Sequence, residues 1–209
     1  MRRILIILGL SVLSLLQVEA QNARKVLDAT ATRMTQSGDV KAQFKATQFN
    51  GSTPQGETSG TMLLSGRKFK MTSNELTTWF DGTTEWTMMK GSDEVNVTTP
   101  TEEEQAAVNP VAIVGIYKKG YRYSLQESTL RGKPTYVVYL QAKNTKAAFQ
   151  YIIVDVDKAT YNPLCIRAKK DGNWMRLSIQ SFQNGLKLPA NTFTFSPKDY
   201  PQAEIIDLR

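Results

Sequence analysis

From Val40 the chain alternates. Val40, Ala42, Phe44 and Ala46 are apolar, and Lys41, Gln43, Lys45 and Thr47 between them are polar. Successive side chains of a strand point to opposite faces, so a period of two specifies a strand with one dry face and one wet face. Short runs of the same kind follow at 61–65, 68–73, 76–80, 84–89 and 94–98, separated by Ser65-Gly66, Asp81-Gly82 and Lys90-Gly91. Strands resume at 121–128, 134–142, 148–156, 163–169, 173–183 and 191–196, with turns at Arg131-Gly132, Asp157 to Pro163, Asp171-Gly172 and Asn184-Gly185. Turn pairs ending in glycine between such runs are hairpin signals. Residues 50–60, rich in Gly, Ser, Thr and Pro, read as a loop. With no linker and no repeat, the pattern predicts one domain, mainly β with α. Its expected form is a single curved antiparallel sheet or incomplete β-barrel, with helices covering the concave face.

Two segments have a helical period instead. In 22–36, Val26, Leu27, Ala31 and Met34 recur on one face, and Gly38 ends the run. Near mid-chain, Thr101 with Glu104 fits a capping box, and Glu102, Glu103 and Glu104 sit where a helix start favours negative charge. Asn109-Pro110 then opens a short, very apolar helix carrying Val111, Ile113, Val114, Ile116 and Tyr117, stopped by Lys118-Lys119-Gly120. A helix this apolar must be buried nearly all round or cover something greasy.

Residues 1–20 read as an address rather than as structure. Arg2 and Arg3 precede the apolar run Ile4–Leu16, and small Ala20 ends the segment, the layout of a cleaved signal peptide. The run is too short to span a bilayer, which takes about 20 apolar residues. The leader holds two arginines and one glutamate, so its removal lowers the net charge from +7 to +6. A basic chain exported from the cytoplasm meets anionic membrane surfaces and acidic partners rather than nucleic acid, and ordinary solubility is the plainer account of the same charge.

The absence of histidine and the single cysteine close most routes to catalysis. No Ser-His-Asp or Cys-His pair can form, and no His-ligated zinc, intrachain disulfide or Cys-rich metal site. No phosphate-cradling glycine loop or dinucleotide fingerprint is present. Ser59 has no base to activate it. Asp155 and Asp157 flank a strand end, where solvation explains them better than a cation does. Cys165, in a strand, reads as a small buried hydrophobe rather than a nucleophile. The Glu102–Glu104 run is explained by capping rather than by acid–base work. The chain is expected to be non-enzymatic, to carry no cofactor or metal, and to act as a monomer.

What remains is a surplus of large, soft apolar residues on the strands: Met62, Leu64, Phe69, Met71, Trp79, Trp86, Met88, Tyr123, Leu125 and Trp174. Methionines and aromatics suit an irregular pocket for flexible apolar ligands. They suit a filled core equally well, and the pattern alone leaves both open.

The order of elements resembles the periplasmic outer-membrane lipoprotein carrier LolA family. Ala42-Gln43-Phe44 resembles its first strand, Gly60-Thr61-Met62-Leu63-Leu64 its next apolar strand, and Phe80-Asp81-Gly82-Thr83-Thr84-Glu85-Trp86 its Asp-Gly hairpin. The helix from Pro110 falls where the family has a lid. Phe193-Thr194-Phe195-Ser196-Pro197 and Ile205-Ile206-Asp207 resemble its C-terminal run and last strand. The resemblance implies a half-barrel that shields the acyl chains of lipoproteins, or related lipids, between an inner-membrane ABC exporter and an outer-membrane acceptor. It implies a cavity lined by Phe44, Met62, Leu64, Phe69, Met71, Trp79, Trp86, Met88, Ile113, Ile116, Tyr117, Tyr123, Leu125 and Trp174. The family's lid-latching arginine precedes a proline. Here the stretch is Ser65-Gly66-Arg67-Lys68, with no proline, and Arg67 is the latch candidate. A second reading is a periplasmic lipid or lipoprotein sensor of similar fold.

Overall fold

The computed structural model describes residues 21–102, 104–105, 116–118 and 120–209. The leader, residues 1–20, and most of the predicted second helix, Ile113 included, lie outside them. An α-helix, α1 (21–35), precedes twelve strands among the described residues: β1 (Asp39–Asn50), β2 (Thr53–Ser65), β3 (Lys68–Ser73), β4 (Leu76–Phe80), β5 (Glu85–Met89), β6 (Glu94–Thr98), β7 (Tyr121–Leu130), β8 (Lys133–Ala142), β9 (Tyr151–Asp157), β10 (Pro163–Lys170), β11 (Asn173–Leu186) and β12 (Glu204–Asp207). They form one open sheet in the order β12-β6-β5-β4-β3-β2-β1-β11-β10-β9-β8-β7. The curved-sheet architecture is the one the alternation predicts, with three differences in detail.

First, the 50–60 segment is not a loop. Only a tight turn separates β1 from β2, and Gln48 pairs with Gly56 and Ala46 with Thr58. The first half of β2 is exposed on both faces, so it has no apolar alternation to read. Its backbone ladder, not its side chains, makes it a strand. Second, β12 runs parallel to β6, with Ile205 opposite Val95. Among the described residues it is the one parallel pair in an otherwise antiparallel sheet. Third, 191–196 is not a strand. Ala190–Phe193 forms a 3-10 turn whose Phe193 is buried.

The inner face of the sheet is the one α1 covers. Ala23, Val26, Leu27 and Met34 of α1 pack with Val40, Ala42 and Phe44 of β1, Met62 and Leu64 of β2, and Phe69 and Phe80 beyond them. On the other side of β1 the same core continues through Ile179, Ile166, Val154, Val138 and Leu140. Gly60 lets β2 and β3 approach. A Cβ there would lie 2.2 Å from the Thr72 carbonyl oxygen, closer than any side chain tolerates.

A second cluster sits on the outer face of the β4–β6 wing. Trp79 and Val95 pack with Phe195, and Tyr200 and Ala203 of the C-terminal segment close over them. Trp79 meets Phe195 edge-on at 5.5 Å and Tyr200 at 5.6 Å, geometries that favour aromatic pairs. Both faces of β4 are therefore covered: Trp79 is 2% exposed and its neighbour Phe80 0%.

The predicted capping box forms: the Thr101 amide donates to Glu104 Oε2 at 2.7 Å and the Glu104 amide to Thr101 Oγ1 at 3.3 Å. The Thr101 amide, together with the Thr101 hydroxyl that also donates to Oε2 at 2.8 Å, holds the Glu104 carboxyl below its ordinary range. The described end of the second predicted helix, Ile116–Lys118, is a 3-10 turn with Tyr117 fully buried in the inner core.

Candidate functional site

The inner face carries a cavity of about 400 Å³ where β1, β2, β3 and β11 meet. Alternation builds its wall. Phe44 and Ala46 of β1, Met62 of β2, Met71 of β3, and Met175 and Leu177 of β11 point the same way, with Leu76 at one side. Apolar groups dominate the lining, and three of the residues named are methionines, which repack at little cost. Part of the lining is polar. Thr58 Oγ1 donates to Glu75 Oε1 at 2.6 Å, and Glu57 and Gln48 add further polar groups to the lining. A small void of about 10 Å³ shares Phe44, Met62 and Leu177 with the cavity and reaches Met34 of α1.

The expected lining residues fall into groups. Phe44, Met62 and Met71 line the cavity. Leu64, Phe69, Tyr117, Ile116, Tyr123 and Leu125 belong to the same inner core without lining it. Trp79, Trp86 and Met88 point away, into the outer cluster against the C-terminal segment. Trp174 stands opposite Phe49, out of phase with the inward-facing Met175. Arg67 is exposed in the β2–β3 turn and has no hydrogen-bond or ion-pair partner among the described residues. Met175, Leu177, Ala46 and Leu76 also line the cavity and were missed. The alternation from Val40 puts Ala46 on the face of Phe44, and that within 173–183 marks Met175 and Leu177 as same-face residues, so three of the four were available in the sequence.

The turn at Ile116–Lys118 is tied to α1 by a different latch. The Tyr117 hydroxyl donates to Asp28 on α1, and the Tyr123 hydroxyl donates to the Tyr117 carbonyl. Burial pushes the Tyr117 hydroxyl far up, and the hydrogen bond to Asp28 and its charge push it the same way, against a smaller opposing effect from Arg24. Burial raises Tyr123 as well, with Arg24 opposing. Both phenols are therefore neutral donors at any physiological pH. Nothing in the sequence spacing links Asp28 to Tyr117.

On the inner face of β5, Glu85 is half-buried, and its Oε2 is buried without a partner among the described residues. Burial raises its carboxyl, and the charge of Glu104 adds to the rise. On the opposite face, Cys165 is buried and its thiol is pushed up by that burial and by Asp155. The thiol is therefore held in its unreactive form.

A family model for the outer membrane lipoprotein carrier protein LolA matches residues 13–172. The chain belongs to that family. LolA-like membership fits the open curved sheet with a helix packed on its inner face. Solved structures resemble the chain at low sequence identity. A conserved protein from Thermus thermophilus superposes with a TM-score of 0.61 at 13% identity, over 89% of this chain and 99% of that one. A LolA superfamily protein from Nitrosomonas europaea gives 0.45 at 10% identity, over 83% and 97%. MucB in its complex with MucA from Pseudomonas aeruginosa gives 0.46 at 12%, over 88% of this chain and 63% of that one. None of the curated proteins matches the chain significantly. No helix among the described residues is long and apolar enough to cross a membrane.

Proposed function

We propose that this LolA-like chain is a periplasmic carrier that takes an acyl chain of a lipoprotein or related lipid into the inner-face cavity and delivers it toward the outer membrane. The observation that carries the reading is the cavity itself: about 400 Å³, with a mostly apolar lining that includes Phe44, three methionines and aliphatic side chains. Each methylene taken from water contributes about 0.8 kcal/mol, so an acyl chain does not leave a membrane for water unless a dry site receives it. A wall of methionines accepts chains of different shape and releases them without a large reorganisation. An inner-membrane ABC exporter and an outer-membrane acceptor are the partners this role requires. The polar groups of the lining then face the head group, while Tyr117, held to Asp28, anchors the 116–118 turn against the inner core.

The test is binding of a fluorescent fatty acid to the wild-type chain and to Leu177→Trp, with thermal unfolding measured on both. The tryptophan enters open space, so the fold should hold. Affinity is expected to fall about tenfold or more, because the cavity is filled. Absence of binding by the wild type, or equal binding by the variant, overturns the assignment.

A further inference from the structure

The outer face of the sheet carries a second cleft, of about 420 Å³, at β10 and β11. Its chemistry is the reverse of the cavity's. Arg176 projects outward between the inward-facing Met175 and Leu177, and Arg167 of β10 is its direct cross-strand partner. Like charges placed opposite one another in an antiparallel pair destabilise the sheet, so the arrangement needs a counter-charge. The cleft holds one buried carboxylate to offset them: Asp155, 6% exposed, accepts from Arg167 Nη2 at 2.9 Å. Glu127, at the edge of the cleft, is already paired with Lys158 at 2.5 Å. Arg176 receives no carboxylate among the described residues. Its contacts are the Thr47 hydroxyl at 3.4 Å and the Phe49 ring at 5.1 Å. Arg167 Nε is buried with no acceptor among the described residues. A buried donor without a partner costs free energy that an incoming acceptor recovers.

The far wall is fixed in place. The β7–β8 hairpin turns at Arg131 and Gly132, both at positive φ, as a type I′ turn requires. Arg131 then donates to the carbonyls of Leu164 and Ile179 at 2.8 and 2.9 Å. That brings Gln126 and Ser128 of β7 to the cleft, adding neutral polar groups opposite the two guanidinium groups.

We propose that this cleft is a binding site for a phosphate group, either free or carried on a lipid head. Two planar guanidinium forks on adjacent strands exceed what one carboxylate can satisfy, since a single fork can engage both of its oxygens. A tetrahedral phosphate offers oxygens to both forks and a charge to match them. The site is on the face of the sheet opposite the acyl cavity and stands independently of the role proposed there.

The experiment measures binding of inorganic phosphate by equilibrium dialysis. It also measures co-sedimentation with vesicles of phosphatidylglycerol against phosphatidylcholine. The variants are Arg176→Gln, Arg167→Lys, which keeps Asp155 paired, and Lys41→Gln, which removes one exposed charge from the same face. Arg176 is exposed, so its replacement leaves the fold intact, checked by the unfolding midpoint. Arg176→Gln and Arg167→Lys are each expected to weaken binding about tenfold or more, with Lys41→Gln close to wild type. Binding of free phosphate alone identifies a soluble anion. Binding of phosphatidylglycerol vesicles that depends on Arg176 identifies a head group. No binding in either arm, or equal losses in Arg176→Gln and Lys41→Gln, overturns the proposal.

Discussion

The two faces of the sheet hold openings of nearly the same size, about 400 and 420 Å³, and opposite chemistry. Three consecutive residues of β11 show how. Met175 and Leu177 turn into the cavity, and Arg176 between them turns into the cleft. Volume therefore says little about what either site accepts. Strand parity decides it, because one sheet distributes a single run of sequence between two surfaces. The cavity lining is mostly apolar, with Phe44, three methionines and aliphatic side chains. The outer face at β10–β11 concentrates charge and leaves part of it unanswered.

The harshest way to break this contrast is to put a charge on the inner face. Leu64 is 1% exposed, and Leu64→Asp is expected to cost more than about 4 kcal/mol, or to abolish folding. Lys41→Asp, exposed on the other face of the adjacent strand, should change stability by less than about 0.5 kcal/mol. Urea unfolding of the two variants measures both. Similar losses would remove the distinction between the faces.

A smaller effect tests how the end of β9 handles a buried acid. Asp157 is 6% exposed. Burial alone would raise its carboxyl, but the backbone amides of Ala159 and Thr160 and the ammonium of Lys133 hold it below the ordinary aspartate value. A depressed folded-state pKa contributes stability above the unfolded value and loses it as pH falls through the folded value. Asp157→Asn should therefore cost about 1–2 kcal/mol at neutral pH. The gap from wild type should close as the pH falls below the ordinary aspartate range. Thermal midpoints across that range read it, and a gap that persists at low pH would show that the carboxylate is not the stabilising form.

Tyr117→Phe sharpens the inner side. It removes the bond to Asp28 and leaves the ring, so about 1 kcal/mol of stability should go. Fatty-acid release, followed by stopped-flow fluorescence, should accelerate if the 116–118 turn restrains the bound chain. An unchanged release rate would make the bond purely structural.

The smallest effect has the opposite sign. Glu85 sits on the inner face with a raised carboxyl. A raised folded-state value means that ionisation opposes folding. The penalty is absent below the unfolded glutamate value and grows as pH rises through the folded value. Glu85→Gln should be neutral in acid and stabilising by up to about 1 kcal/mol above the glutamate range. No gain at neutral pH would show that the sheet accommodates the charge.

The alternation made most of the strands legible, because β1, β3 and β11 each keep one face dry. It could not reveal β2 before Gly60, where neither face is buried. It also could not reveal the parallel docking of β12, which depends on a partner far away in the chain. The cavity was partly legible. Phe44, Met62 and Met71 share a face by parity, but Trp79 and Trp86 look like equally good lining residues until the C-terminal segment is placed behind them. A strand covered on both faces has no wet side to give its orientation away. The Asp28–Tyr117 bond joins residues distant in sequence, and Arg167 beside Arg176 emerges only from strand register.

The sheet order has a consequence for when the molecule can exist. The β1–β11 pair joins Lys41 to Gln183, so the strand made first waits for nearly the last. The sheet's far edge is completed only when Ile205 settles beside Val95. A chain leaving a ribosome, or threaded through a pore, amino end first, can form hairpins on either side but cannot join them until almost all of it has emerged. Closing so long a loop is slow. The complete sheet is therefore assembled after emergence rather than during it.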